Sequence, residues 1–268
     1  MSPKPASSSP YSAPAKPSAP AKPSAPAPPK PPSASTRPSA FAQYRTLLAK
    51  DLRREFRTRE MLTSMGIYSL LVLVIFGAAL AQTARSFDIL QMSGGLIWAL
   101  IVFTSLLGLN RSFSHEKEES SLEGILLAPL DRSVIFLAKA SSNLLFLAAV
   151  ELITLPLFYF FFLTGSQPSA TFWLTLGPLA VGTIGIVGVG TLLATITMNT
   201  RGKDVLLAVL FIPLIYPLLY ACTSATTVAI LDSAMIVETY FPALALAIGY
   251  DVIMVLVSWL LYDFVVSA

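Results

Sequence analysis

The pattern of apolar and polar positions in this chain changes character near residue 61. From there, charge-free apolar stretches recur at lengths that match a lipid bilayer. Residues 61–84 and 89–110 contain no charged residue, and only Arg85-Ser-Phe-Asp88 separates them. A hydrocarbon core about 30 Å thick needs roughly 20 apolar residues in a helix, so each stretch is long enough to cross it. A third stretch, 134–164, is interrupted only by Lys139 and Glu151. Residues 152–200 carry no charge, and Gly165-Ser-Gln-Pro-Ser169 divides them into the end of span three and a fourth span at about 171–198. A fifth span covers about 205–223 and a sixth about 240–262. The prediction is an all-α, polytopic membrane fold with six transmembrane helices over 61–268 and both termini on one side.

Two segments of different character precede the spans. Residues 1–40 hold 13 prolines, 10 serines, 9 alanines and five basic residues, with no acid. Ser-Ala-Pro-Ala-Lys-Pro occurs at 12–17 and again at 18–23. Such a stretch buries too little apolar area to offset its ordering entropy, which predicts a disordered, partly polyproline-like tail. It has no apolar run of the kind a signal peptide carries. A solvated spacer is favoured over a proline-rich ligand for an SH3-type domain.

Residues 41–60 read as a basic amphipathic helix. Phe41, Tyr44, Leu48, Leu52 and Phe56 follow steps of three and four, one stripe of a helix. Arg45, Lys50, Arg53, Arg54, Arg57 and Arg59 lie in the same segment. Basic helices also bind nucleic acid. Here the apolar stripe and the adjoining span favour an interfacial helix on the headgroups of membrane lipid, with Arg45, Arg53, Arg54 and Arg57 as its contacts and no nucleic acid.

Charge then sets an orientation. Residues 1–60 carry 11 Lys/Arg and 3 Asp/Glu, whereas 61–268 carry 7 and 12. With the N-terminus inside, the inner segments 41–60, 110–133 and 199–204 hold 6, 3 and 2 Lys/Arg, and the outer segments hold only Arg85. The positive-inside rule therefore predicts cytoplasmic termini. Composition agrees with a lipid solvent: 12% of the chain is charged, where soluble domains carry about 25%, and the mean hydropathy is +0.70. A lone Cys222 and a lone His115 exclude an internal disulfide and any Cys-based or multi-histidine metal site.

The longest inward segment, 110–133, carries the most specific chemistry. Glu116, Glu118 and Glu119 form an acidic cluster, and Ser120-x-x-Glu123 has the form of a capping box. Leu122, Ile125 and Leu126 make a short apolar face, Pro129 stops it, and Asp131 can cap the helix that enters span three. These signals predict a one-to-two-turn helix at the cytoplasmic surface, shaped as a lever for a soluble partner. A solvated loop is the competing reading.

Here a resemblance becomes specific. The run from Glu116-x-Glu118-Glu119 through Leu122-Glu123-Gly124-x-Leu126-Leu127-x-Pro129 to Lys139 resembles the permeases of ABC-2-type transporters, and within them the cytochrome c maturation B (CcmB) family. Leu106-Leu-Gly-Leu-Asn-Arg-Ser-Phe113, Leu127-x-Pro-Leu-Asp-Arg-Ser133, Val150-Glu-Leu with Pro156-Leu-Phe158, and Asp51-Leu-Arg-Arg-Glu-Phe-Arg57 are similar to that family's pattern. The likeness covers roughly 43–266 and leaves out the tail. It implies a permease half that dimerises and works with a separate ABC ATPase subunit, a haem-handling membrane subunit and a periplasmic haem chaperone, in the bacterial inner membrane. It also implies that Glu116, Glu118, Glu119, Leu122, Glu123, Gly124, Pro129, Asp131 and Arg132 couple to the ATPase. Haem is then a candidate cargo, no cofactor is bound directly, and ATP-Mg sits on the partner. The chain itself contains no Gly-x-x-x-x-Gly-Lys-Ser/Thr phosphate loop, so it has no catalytic residues of its own for ATP hydrolysis. An ABC-2 permease for a drug, lipid or polysaccharide is the alternative; so is an ATPase-independent transporter or scaffold.

Within the spans, Glu151 and Asp251 are the ionisable candidates, both placed by helical rise toward the outer half of the bilayer. A charge there costs about 2.5–3.5 kcal/mol by insertion scales, so each either serves a polar path or is satisfied by hydroxyl and backbone partners. Lys139 is close enough to the inner end of span three to snorkel to the headgroups. Gly182, Gly185 and Gly188, with Gly190-x-x-x-Ala194, predict close helix packing. Pro213 and Pro217 predict a kinked or loosened span five.

Overall fold

Six apolar helices long enough to cross a bilayer are present in the computed structural model, which describes residues 39–83, 88–118, 132–163, 172–197, 200, 202–231 and 236–267. Residues 1–38 of the predicted tail therefore lie outside the described residues, as does the predicted short helix after Ser120, while Ser39 and Ala40 belong to the start of the first helix. Helix α1 is Ala40–Thr58, α2 Glu60–Thr83, α3 Ile89–Glu118 and α4 Arg132–Phe162. A 3₁₀ turn, Phe172–Thr175, leads into α5, Leu176–Thr197, followed by α6, Lys203–Leu231, and α7, Tyr240–Ser267. No strand occurs among the described residues.

Local chemistry explains where α1 starts and stops. Ser39 Oγ accepts from the Ala42 N–H at 3.3 Å, an N-cap. Arg59 adopts the left-handed conformation (φ 53°), and its N–H returns to Glu55 O at 2.7 Å. The chain turns there directly into α2, whose Leu62 N–H donates to Glu55 Oε1 at 2.8 Å. Glu55 thus caps the first membrane helix from the end of the helix before it, where a carboxylate also meets the positive end of the helix dipole.

The bundle is built around α5. Its apolar window is 78% buried within the chain and that of α3 67%, against 17% for α2 and for α7. Helix α5 packs against α3, α4, α6 and α7, and α2 lies outside, against α3 and α4. One continuous core runs through α2 to α7 and includes Met65, Trp98, Leu147, Ile186, Phe211 and Leu218. The outward positions are apolar instead of charged, as with Ile67, Leu152, Val205, Val252 and Leu260, because their solvent is hydrocarbon. A second cluster joins Ile135, Phe136, Leu192 and Tyr262 to Leu47 of α1. It puts α1, the start of α4, the end of α5 and the end of α7 at one end of the bundle. At the other end Tyr240 packs with Ala225 and Ala229, and its Oη donates to Leu174 O at 2.7 Å.

Two expected boundaries are corrected. The fifth span was expected to end near 223, yet α6 continues to Leu231. Its polar-looking Thr-Ser-Ala-Thr-Thr stretch is held inside: Ala225 and Thr226 are fully buried, and Trp98 Nε1 donates to Thr226 Oγ1 at 3.0 Å. The segment 110–133 was expected to begin as a loop, but α3 remains helical to Glu118. An ion pair between Arg111 and Glu60 ties that extension to the start of α2. Helix α6 also continues through both Pro213 and Pro217, and Tyr250 Oη of α7 donates to Leu214 O between them at 2.6 Å.

The glycine pattern of α5 has a direct steric cause, most severe where a ring or a carboxylate presses on it. A Cβ at Gly182 would collide with the Trp98 ring and meet Cys222 Sγ at 3.0 Å. A Cβ at Gly185 would collide with the Asp251 carboxylate and sit 2.6 Å from Leu218 Cδ2. Gly182→Ala should therefore destabilise the folded chain by about 1–3 kcal/mol through overpacking. Gly95→Ala, in open space, should be neutral. Thermal unfolding of both variants in detergent checks the pair.

Candidate functional site

Polar residues inside a lipid-solvated bundle cluster around α5. Glu151 of α4 is 8% exposed and Asp251 of α7 is 7% exposed. Thr183 Oγ1 lies 2.9 and 3.1 Å from the two carboxylate oxygens of Glu151 and 2.8 Å from Leu179 O. A hydroxyl has one hydrogen, so it serves one of these acceptors at a time. The site accommodates two proton arrangements: Thr183 donating to an ionised Glu151, or a protonated Glu151 donating to Thr183 while Thr183 donates to Leu179.

Asp251 approaches α5 from another side. Its carboxylate lies against Gly185, filling the space that a side chain there would occupy, and Oδ1 makes no hydrogen bond of good geometry. Thr183 and Gly185 are two residues apart, which in an α-helix is about 200° of rotation and about 3 Å of rise. The two acids therefore flank α5 from nearly opposite sides at almost one depth. Each is eleven residues from the end of its helix remote from α1, Phe162 for Glu151 and Tyr240 for Asp251, or about 16 Å.

Nearer α1 there is a further polar contact in α4, where Asn143 Nδ2 donates to Thr191 Oγ1 at 3.2 Å. The expectation for Lys139 is corrected here. It does not reach outward; its side chain is 10% exposed and its Nζ lies 3.7 Å from Asp51 Oδ2 of α1. Helix α1 packs along α4 and brings the carboxylate to the lysine, so the ammonium finds its counter-charge inside the protein. Ser142 Oγ lies 3.3 Å from the same Asp51 oxygen and 2.9 Å from Ala138 O, so its one hydrogen serves one of them at a time, and Tyr44 Oη donates to Ser141 Oγ at 3.0 Å.

The apolar stripe of α1 is likewise divided. Tyr44, Leu48 and Leu52 turn partly inward, whereas Phe41 and Phe56 are exposed. Gln43 and Glu55 are buried, so the face against the bundle is mixed and not purely apolar. Arg45, Arg53 and Arg57 are exposed and Arg54 is half-buried. The Arg45 guanidinium sits over the Phe41 ring, 5.8 Å from its centroid. These cations and Lys50 line a broad open hollow on the outer side of α1.

The remaining predicted residues fall at the edge of what is described. Glu116 and Glu118 belong to the last turns of α3, and Arg132 opens α4, half-buried. Glu119, Leu122, Glu123, Gly124, Pro129 and Asp131 lie outside the described residues. Among the described residues no group of three or more His, Cys, Asp or Glu could hold a metal ion.

Sequence reasoning had Asp51 and Glu55 only as members of a family-like motif, with no contact assigned, and missed Thr183. Asp51 and Glu55 did carry a signal: they are the acids of an otherwise basic helix, and with Tyr44 and Leu48 they follow steps of four, three and four. Thr183 carried none, since a threonine in a span is ordinary.

The geometry agrees with what comparison with known proteins finds. The family model described as CcmB protein matches residues 42–262, which includes α2 through the membrane part of α7. Heme exporter protein B of Pseudomonas aeruginosa is 28% identical over 173 residues, 65% of this chain and 75% of that protein. Heme exporter protein B of Escherichia coli K12 is 29% identical over 179 residues, 67% of this chain and 79% of the relative. That of Rhodobacter capsulatus is 27% identical over 178 residues, 65% and 78% respectively. A six-span, multi-pass membrane protein matched over this whole bundle belongs to the CcmB protein family.

Proposed function

We propose that this chain is the permease subunit of an ABC-type haem exporter acting in c-type cytochrome assembly. The observation that carries the reading is the family match, which spans the bundle, α1 and the segment 119–131 alike. The relatives are named heme exporter protein B, and haem is accordingly the substrate class. The work done by ATP hydrolysis is either haem transfer itself or release of a haem-loaded periplasmic chaperone.

The chain lacks a phosphate loop, so energy enters from a separate ATPase subunit. That subunit docks at the α1 end of the bundle, where α3 extends to Glu118 and α4 begins at Arg132. Glu116, Glu118, Glu119, Glu123 and Asp131 supply the charge of the docking surface, with Leu122, Gly124 and Pro129 among its contacts. The predominance of Lys and Arg in the segments at this end supports a cytoplasmic location for it, with Arg45, Arg53 and Arg57 facing anionic headgroups. A twofold mate closes the transport unit, and a haem-handling membrane subunit and the periplasmic chaperone complete the complex. Glu151 and Asp251, flanking α5 at one depth, contribute polar groups to the path or to the helix movement that opens it.

Two experiments test this. Reversing Glu118, Glu119 and Glu123 to Lys should weaken recruitment of the co-expressed ATPase about tenfold or more, as loss of interfacial charge pairs does, and should abolish cytochrome c maturation. Full recruitment and full maturation in that variant would refute the coupling role. Separately, Glu151→Gln and Asp251→Asn preserve shape and hydrogen-bonding capacity while removing the charge. The double variant should keep its folded yield and its ATPase, yet mature cytochrome c about tenfold less, a barrier change of about 1.4 kcal/mol. Normal maturation would reduce both acids to structural roles.

A further inference from the structure

The acids of α1 both turn toward the protein, against the charge of their own helix. Asp51 Oδ2 lies 3.7 Å from Lys139 Nζ and 3.3 Å from Ser142 Oγ, a hydroxyl that alternates between Asp51 and Ala138 O at 2.9 Å, and Oδ1 lies 3.5 Å from Lys50 Nζ. The Asp51 and Lys139 side chains are 13% and 10% exposed. Two turns back along α1, Tyr44 is bonded to Ser141. One turn on, Glu55 caps α2 through Leu62 N–H. Helix α1 is thus fastened sideways to the first turns of α4 and end-on to the start of α2.

We propose that the Asp51–Lys139–Ser142 contact is a latch joining α1, the start of α4 and the start of α2 into one rigid unit, and that Asp51 is a positioning residue for ATP-driven movement of the bundle. The second half rests on the proposed coupling function. The energetics favour a closed latch: the pair sits in a mostly buried seam, where solvent screens it less than it screens an exposed pair. A displacement delivered to the start of α4 is then shared with α1. Through the Glu55 elbow it also reaches α2, so that α1 cannot simply swing away. Without the latch, the same displacement would be spent in lifting α1 off α4.

The test uses the full chain in lipid nanodiscs, with and without the co-expressed ATPase. Hydrogen–deuterium exchange reports α1 docking, and cytochrome c maturation in cells reports coupling. Asp51→Asn should speed exchange of the α1 amides about tenfold, bind the ATPase as the unaltered chain does, and lower maturation about tenfold. The exchanged pair Asp51→Lys with Lys139→Asp should bring both readouts back to within about threefold, an outcome that mere loss of fold would not produce. Ser142→Ala removes one donor and no charge, and should speed exchange about threefold; it decides the matter if Asp51→Asn does not accumulate. Unchanged exchange in Asp51→Asn, or faster exchange with full maturation, overturns the proposal. If the unaltered chain itself never recruits the ATPase, the coupling function falls, and exchange still decides whether the latch exists.

Discussion

Close approach to α5 is the constraint on which the rest of the bundle depends. In hydrocarbon, a leucine gains little by leaving lipid for a neighbouring helix, so helices associate through dense contact and hydrogen bonds. Dispersion contacts are individually small and vanish across a gap of a fraction of an ångström. A central helix touched by four others can meet that demand only if it lacks side chains where neighbours press hardest. Gly182 admits the Trp98 ring and Gly185 admits the Asp251 carboxylate. The same absence of side chains that packs the bundle brings an acid to the face of α5, next to the turn where Thr183 receives Glu151.

Polar groups in this protein share a tendency: several that leave the membrane surface are met by a partner on another helix. Trp98 reaches Thr226, Asn143 reaches Thr191 and Glu151 is met by Thr183. The ends show it too, with Lys139 met by Asp51 and the α2 amide of Leu62 met by Glu55. Others are met within their own helix, as Ser105 is by Val102 O, while Thr104 Oγ1, Ser258 Oγ and Asp251 Oδ1 make no hydrogen bond of good geometry.

The helix before the spans changes most in meaning between pattern and structure. Its periodicity describes an apolar stripe opposite basic residues, which reads as a helix resting on lipid. The packed helix instead presents Gln43, Asp51 and Glu55 to the protein and leaves Phe41 and Phe56 outside. An amphipathic pattern reports how apolar each face is, not which surface will cover it. Where the covering helix offers Lys139, Ser141 and Ser142, acids and a tyrosine fit better than leucines do.

The sequence by itself determined the solvent, the number of crossings and the family. Those depend on run lengths without charge and on local motifs, which are properties of neighbours along the chain. It also marked Glu151 and Asp251, because an ionisable residue in an apolar run stands out wherever the run folds. Tertiary structure decided which groups meet. The extension of α6 to Leu231 depends on Trp98, more than 120 residues away, and the fate of Lys139 depends on Asp51 on another helix. Both are contacts between distant segments, and periodicity along one helix carries no information about the chemistry of the helix that will face it.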